Sequence, residues 1–466
     1  LNIIWFRKDL RLADNPALVQ AAKSGAVMPV FILDDEEAGP WRRGAASRVW
    51  LYHSLKALNE TLDGRLSVYT GKATQILPDL VRKFGAEAVF WNRCYESWRR
   101  ERDAALKTDL KSMGIKAESF NGSLLWEPWE VLKADGTPYR VFTPFYRKGC
   151  LKAPVPRKPL QKPDPDLAKR DPGSIAIEDL GLIPEEYSWP DRMMTDWEKG
   201  ESGALKQLDH FLTSAGGGYK RGRDYPAEDH VSRLSPYLAN GEISPNMIWH
   251  KAQMIMEGDD LDKFCAELGW REFSHSLLYH FPGLPEKNFQ PKFDPFPWQK
   301  EEKNLTAWKK GLTGIPIIDA GMRELWQTGY MHNRVRMIVA SFLIKNMMTD
   351  WRDGQDWFWD TLVDADLANN SAGWQWVAGS GADAAPYFRI FNPVLQSEKF
   401  DRDGAYIRRF VPEILKLPTS HIHAPWKAPE DVLKEAGIDL GKSYPLPIID
   451  LKESRNTALA AYKGLP

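Results

Sequence analysis

The first 130 residues alternate short β-branched or aromatic runs with amphipathic stretches, and this alternation restricts the fold more than any other feature. "NIIWF", "AVMPVFIL", "LSVYT", "AEAVFWN" and "GIKAESF" carry a strand pattern, while "NPALVQAAKSG", "AASRVWLYHSLKALNETL", "ATQILPDLVRKFG" and "SWRRERDAALKTDLKSMG" carry a helical one. Strands joined through helices pair in parallel, so a doubly wound α/β sheet is expected. Asp14 or Asn15, just before Pro16, is the expected N-cap of the first helix.

Sheets of this kind bind ligands at the carboxyl ends of their strands, here around "RKDLRLADN" and "WNRCYESW". The usual phosphate fingerprints are missing, since neither GxGxxG after the first strand nor GxxxxGK[ST] occurs. A small-molecule site and a purely structural sheet both stay open. Prolines 154, 156, 159, 163, 165 and 172 then mark a long connector. Beyond about residue 200 strand patterns fade, and 261–280, 317–328, 331–349 and 400–416 read as helices. The expected organisation is an α/β domain over 1–130, a linker over 131–200 and an all-α domain over 201–466.

Hydrophobic content of 43% and charged content of 27%, without an apolar run of about 18 residues, argue against a membrane span. The N-terminal "LNIIWFRKDLRL" is too short in its apolar run for an export signal. Cys94, Cys150 and Cys265 have neither metal-ligand nor redox spacing, so a reduced, cytoplasmic chain is expected. With 62 Lys and Arg against 63 Asp and Glu, bulk charge announces no nucleic acid, and any such partner needs basic residues gathered on one face. Twenty tryptophans are an excess that can serve core, stacking surface or electron relay.

Four stretches carry candidate chemistry. In "GGGYKRGRDYPAEDHVSRLSPYLANGEISP" (216–245), Ser232, Arg233, Leu234 and Ser235 precede Pro236. A serine cap followed by proline opens a helix whose first N–H groups can meet an anion or remain simply capped. In "FCAELGWREFSHSLLYHFP" (264–282), Glu267 and Arg271 stand four apart, as an ordinary ion pair would, with Trp270 on the face of Glu267. That face suits base stacking or core packing. In "GYMHNRVRMIVASFLIKN" (329–346), Asn333, Arg336 and Met337 share a face and Arg334 points elsewhere, towards a phosphate if one is bound. "DADLANNSAGWQW" (364–376) sets Asp364, Asp366, Asn369 and Asn370 beside Trp374 and Trp376, a combination suited to a planar ligand with polar edges. No metal is expected, because no HExxH occurs and the His421/His423 pair is isolated.

"WREF", "TGYMHNRVRM", "DWR", "DADLANN", "GWQW", "DAAPYFRIFNP" and "EKFD" follow one another in the order of the DNA photolyase and cryptochrome family. "WFRKDLRLADNPAL" and "SRLSPYL" to "GEISP" match as well, so the chain resembles that family from residue 1 to about 450. The resemblance implies a Rossmann-like α/β antenna domain and an all-α, FAD-binding domain, with FAD held by Tyr219, Ser232, Arg233, Leu234, Ser235, Arg271, Asn333, Arg336, Asp364, Asp366 and Asn370. Val231 stands where many relatives have threonine.

It further implies light-dependent repair of cyclobutane pyrimidine dimers, in which photoexcited reduced FAD passes an electron to a dimer flipped out of damaged DNA. Glu267 would bond the thymine edges, Trp270 and Trp376 would wall the lesion, and Asn333, Arg334 and Met337 would complete its pocket. Asn370 would face flavin N5, where a neutral amide favours repair over plant-type signalling. Trp374, Trp351 and Trp298 match an electron relay to the surface. Methenyltetrahydrofolate is the expected antenna, with 8-hydroxy-deazaflavin as the alternative and Glu96 and Trp98 as candidate contacts. A monomer with no membrane partner is expected. The alternative function is a cryptochrome-like blue-light photoreceptor.

Overall fold

The structure, a computed structural model, describes residues 1–184 and 186–465. Five strands form one parallel sheet: β1 (Asn2–Phe6), β2 (Val27–Leu33), β3 (Ser67–Thr70), β4 (Ala88–Asn92) and β5 (Lys116–Phe120), in the order β3-β2-β1-β4-β5. Ile3 stands opposite Met28 on one side and Val89 on the other. This is the doubly wound sheet expected from the βα alternation, and its strand order reverses between β1 and β4.

Every residue of β1 and β2 is buried, as strands covered on both faces require. Ile4, Phe6, Phe31 and Phe90 pack on one face, whereas Ile3, Trp5, Val30 and Trp91 pack on the other. Asn15 is the N-cap of helix Pro16–Ser24, its side chain accepting from the Leu18 N–H at 3.0 Å. The proline-rich connector lies along the sheet through isolated bridges from Leu167 to Val27 and from Ile175 to Val68.

The described chain divides into two units. The first holds Leu1–Gly217, Ser232–Pro282 and Val363–Asn369, and thus contains the sheet and helix Gly258–His280. The second holds Gly218–Val231, Gly283–Leu362 and the chain from Asn370 onward. It is helical, with Phe293, Phe296, Met348, Tyr387 and Ala458 forming one buried cluster.

Two helical expectations need correction. The 331–349 segment is α-helical only over Asn333–Ser341 and widens into a π-helix over Phe342–Asn346. The 400–416 segment breaks into Ala405–Phe410 and a 3-10 turn, Pro412–Ile414, because Pro412 has no N–H to continue the ladder. Among the described residues no helix is long and apolar enough to cross a membrane.

Candidate functional site

Helix Gly258–His280 presents Glu267, Trp270 and Arg271 on its half-buried side while Phe264, Leu268, Phe273 and Leu277 are buried. The pairing differs from the spacing argument. Glu267 bonds Lys263 one turn back at 2.9 Å, and Arg271 bonds its neighbour Glu272 at 3.0 Å. Glu272 also receives the Leu125 and Trp126 N–H groups, which fixes the acceptor that draws Arg271 away from Glu267.

The serine cap is likewise corrected. Leu234 occupies the N-cap position of helix Ser235–Asn240 with no side-chain cap, and Ser235 is already helical. Its hydroxyl instead donates to Asp364 Oδ2 at 2.6 Å. Arg233 has a positive φ of 51° and lays its guanidinium over the Trp197 ring at 4.3 Å.

Asp366 starts helix Leu367–Ala378, its Oδ1 receiving the Asn369 backbone N–H at 3.1 Å and side-chain amide at 2.9 Å. Its other oxygen lies 2.9 Å from Lys8 Nζ and 3.6 Å from His275 Nε2. Burial alone would raise the carboxyl, yet Lys8 and His275 outweigh it and hold Asp366 well below the usual carboxylate range. Lys8 also bonds Glu96 at 3.1 Å, and with Arg99 it overcomes burial to bring Glu96 down to about 2. A small cavity of about 20 Å³ is lined by Lys8, Glu96, His275 and Asp366 together with Cys94 and Arg271.

The strand ends on the reversal side are filled by charge. Arg7 bonds Asp103 at 2.6 Å, Arg102 bonds Asp34, and both guanidinium groups lie over Trp5, at 4.4 and 4.7 Å. Of the two candidate antenna contacts, Glu96 is therefore tied up in ion pairs. Trp98 is half-buried, with Arg99 and Arg102 over its ring at 4.3 and 5.1 Å.

In the second unit, helix Asn333–Ser341 buries Val335, Ile338 and Val339 and leaves Asn333, Arg336 and Met337 accessible on one side. His332 caps it, its Nδ1 accepting from the Arg334 N–H at 3.2 Å. Burial lowers His332 to about 4, and Arg223, Arg334 and Arg336 add to this against the opposing Asp224, so the ring stays neutral and able to accept. Arg334 bonds Asp224 at 2.7 Å, and Arg336 Nε donates to the Met331 carbonyl at 2.7 Å. Tyr219 is buried at the start of the short helix Tyr219–Gly222, with Arg223 over its ring at 5.5 Å.

Asn370 donates its amide N–H to the Gln355 carbonyl at 3.0 Å, which leaves the side-chain oxygen to accept. Trp374 is 3% exposed and lies edge-on to Phe358 at 4.9 Å and to Trp308 at 6.3 Å. It sits against Gly354, one turn along the helix that begins at Trp351. The buried Trp351 donates its indole N–H to Asn288 at 2.9 Å. Trp298 is half-buried, 4.3 Å from Phe296, and Trp376 is half-buried. Sequence reasoning missed Lys8, His275, Asp224 and the capping role of His332. Only His332, directly before the "NRVRM" helix, carried a local cue.

The family described as "FAD binding domain of DNA photolyase" matches residues 264–464, and that described as "DNA photolyase" matches residues 2–164. A deoxyribodipyrimidine photo-lyase of Agrobacterium fabrum is 51% identical, covering 99% of this chain and 98% of its own. Cryptochrome-2 of Arabidopsis thaliana is 39% identical over 97% of this chain and 77% of its own. The crystal structure of a class III photolyase from Agrobacterium tumefaciens superposes with a TM-score of 0.95 at 50% identity, covering 99% of this chain and 97% of that one. The chain belongs to the DNA photolyase and cryptochrome family.

Proposed function

We propose that this chain is a deoxyribodipyrimidine photo-lyase that uses light and FAD to split cyclobutane pyrimidine dimers in DNA. One observation carries the reading: the 51% identity to the Agrobacterium fabrum photo-lyase runs through nearly the whole of both chains.

The donor set suits FAD. Asp364 and Asp366 are acceptors for hydroxyl and N–H groups, Arg271 and Arg336 are cations for an anionic cofactor, and the 232–235 segment offers the Ser232 hydroxyl and backbone N–H donors to phosphate, the Ser235 hydroxyl being held by Asp364. Buried Gln355 Oε1 has no hydrogen-bond partner among the described residues and lies on the residue that Asn370 bonds, so a ligand donor suits that position. Tyr219, Arg233, Leu234, Asn333 and Asn370 complete the proposed cofactor set. FAD, when bound and reduced, supplies the electron that light transfers to the dimer and that returns after the ring opens.

The protein's own residues then bind, orient and exclude water. Glu267 accepts from the dimer's N–H edge, Trp270 and Trp376 provide apolar walls, and Asn333, Arg334 and Met337 close the pocket. Extruding the damaged pair costs a few kcal/mol, less where the lesion has already weakened pairing. Arg336 balances negative charge on the cofactor, and neutral Asn370 accepts a hydrogen bond through its side-chain oxygen without supplying a proton. Trp374, Trp351 and Trp298 would relay electrons inward from an external reductant, which restores the reduced cofactor.

For the antenna we propose methenyltetrahydrofolate, with 8-hydroxy-deazaflavin as the alternative. Trp98 is the proposed stacking partner, since Glu96 is spent on Lys8 and Arg99. The absorption spectrum of purified protein identifies the chromophore. We also propose a monomer acting in the cytoplasm.

The test is illumination of the reduced protein with oligonucleotides carrying a cyclobutane or a (6-4) lesion. Loss of the cyclobutane lesion alone is expected. Loss of neither sinks the repair reading in favour of the photoreceptor function.

A further inference from the structure

Trp270 is held from behind by rings from a distant part of the chain. Phe142 stacks on it with centroids 3.8 Å apart and planes 9° apart, and Tyr146 stacks on Phe142 at 5.6 Å and 8°. Phe273 closes the group edge-on, 6.0 Å from Phe142 and 5.9 Å from Trp270. Phe142 comes from the turn Phe142–Pro144 and Tyr146 from the π-helix Phe145–Gly149 that follows it. Both therefore lie in a short segment pressed against helix Gly258–His280. Gly269 permits the approach, because a Cβ at that position would lie 2.4 Å from the Tyr146 ring.

A half-buried tryptophan at the edge of a binding surface is ordinarily free to swing between rotamers. Stopping that motion when a ligand arrives costs affinity, so a ring already fixed in plane gives a stronger wall. Phe142, 9% exposed, lies parallel to the indole and fixes its plane, and Tyr146 backs Phe142 in turn.

We infer that Phe142 is a positioning residue for lesion recognition: through its stack on Trp270 it presets the wall that a flipped pyrimidine pair meets. The inference rests on the proposed role of Trp270 and deepens it. The segment around Phe142 thereby belongs to the recognition apparatus, although it contributes no atom to the lesion pocket.

The experiment compares Phe142→Leu, Phe142→Tyr, Gly269→Ala and Trp270→Ala. It measures dark affinity for an oligonucleotide with one cyclobutane dimer, affinity for its undamaged counterpart, and repair per absorbed photon at saturating substrate. Phe142→Leu is expected to weaken lesion binding about 3- to 10-fold, the range that ordering one side chain implies. Undamaged affinity and saturated repair should be unchanged. Phe142→Tyr keeps the ring and should restore wild-type affinity. Gly269→Ala, which displaces Tyr146 without altering either stacked ring, should give a smaller loss of the same kind, and it carries the test if Phe142→Leu does not fold. Normal lesion affinity in Phe142→Leu and Gly269→Ala, with a loss in Trp270→Ala, overturns the inference and leaves the Trp270 wall standing. Normal affinity in Trp270→Ala overturns the wall itself.

Discussion

Lys8 Nζ lies 2.9 Å from Asp366 Oδ2, an ion pair closed across 358 residues of sequence. The side chains are only 17% and 8% exposed, so salt screens the pair weakly. It ties the loop after β1 to the carboxylate that begins the Asp366 helix.

Lys8→Met should therefore strand a buried carboxylate and cost about 3–5 kcal/mol at neutral pH. Because the folded-state pKa of Asp366 is depressed, the wild-type contribution is present above the ordinary carboxylate value near ~4 and is lost as pH falls through the lowered one. In Lys8→Met the carboxyl loses its principal cation and rises, so the variant should recover part of its deficit on acidification to about pH 5. Urea unfolding at the two pH values checks this, with flavin absorbance per protein reporting retention of the cofactor. Lys8→Arg should keep most of both. A variant as stable as wild type at neutral pH contradicts the argument.

Glu242 gives the opposite pH dependence. It is fully buried, accepts from the Trp50 indole at 2.8 Å, the Ser54 hydroxyl at 2.6 Å and the Gly200 N–H at 3.1 Å, and burial pushes it up to about 7. Folding favours its protonated form. Its contribution is thus complete below the ordinary value near ~4.3 and is lost as pH rises through about 7, a loss of roughly 4 kcal/mol. Glu242→Gln should remove the fall in stability between about pH 4 and about pH 7. Thermal unfolding across that range checks it, and parallel profiles for the two proteins would refute the assignment.

These two residues mark how far the sequence could be read. The strands were legible because buried parallel strands leave continuous β-branched and aromatic runs, as in "NIIWF", and the Asn15 cap because its signal sits within three residues of its partner. The candidate residues were legible as an ordered family pattern. What escaped was any choice between partners. Glu267 and Arg271 have ion-pair spacing, but Lys263 and Glu272 are better placed, and Glu272 is fixed by two N–H groups from residues 125 and 126. Ser235 has a capping residue's position, yet Asp364 takes its hydroxyl from 129 residues away. Lys8 carried no local signal at all, since its meaning depends on a carboxylate near the other end of the chain.

The proposed phosphate contact of Arg334 can be read from salt dependence. Its guanidinium bonds Asp224 at 2.7 Å and lies over the Phe400 ring at 4.4 Å while the side chain remains 18% exposed. Arg334→Met should weaken dark binding of lesion DNA and reduce the steepness of log affinity against log salt by about one. Asp224 is 35% exposed, so water can solvate the carboxylate that Arg334 leaves behind, which limits the stability cost to about 1 kcal/mol. Binding titrations at several salt concentrations provide the measurement. An unchanged slope removes Arg334 from the phosphate contacts.

Gly354 separates electron relay from packing. A Cβ there would lie 2.1 Å from Trp374 Cη2 and 2.7 Å from Leu343 Cδ2, and Trp374 has Phe358 and Trp308 against its other edges. The indole cannot give way without repacking, so Gly354→Ala should cost about 1–3 kcal/mol and tilt the ring. If Trp374 passes electrons inward, photoreduction of the bound flavin with an external thiol should slow several-fold. Repair by protein already reduced chemically bypasses that path and should stay close to wild type. Comparing the two rates in one preparation distinguishes the roles: loss of stability with photoreduction intact makes Trp374 a packing residue, whereas selective slowing of photoreduction places it in the relay.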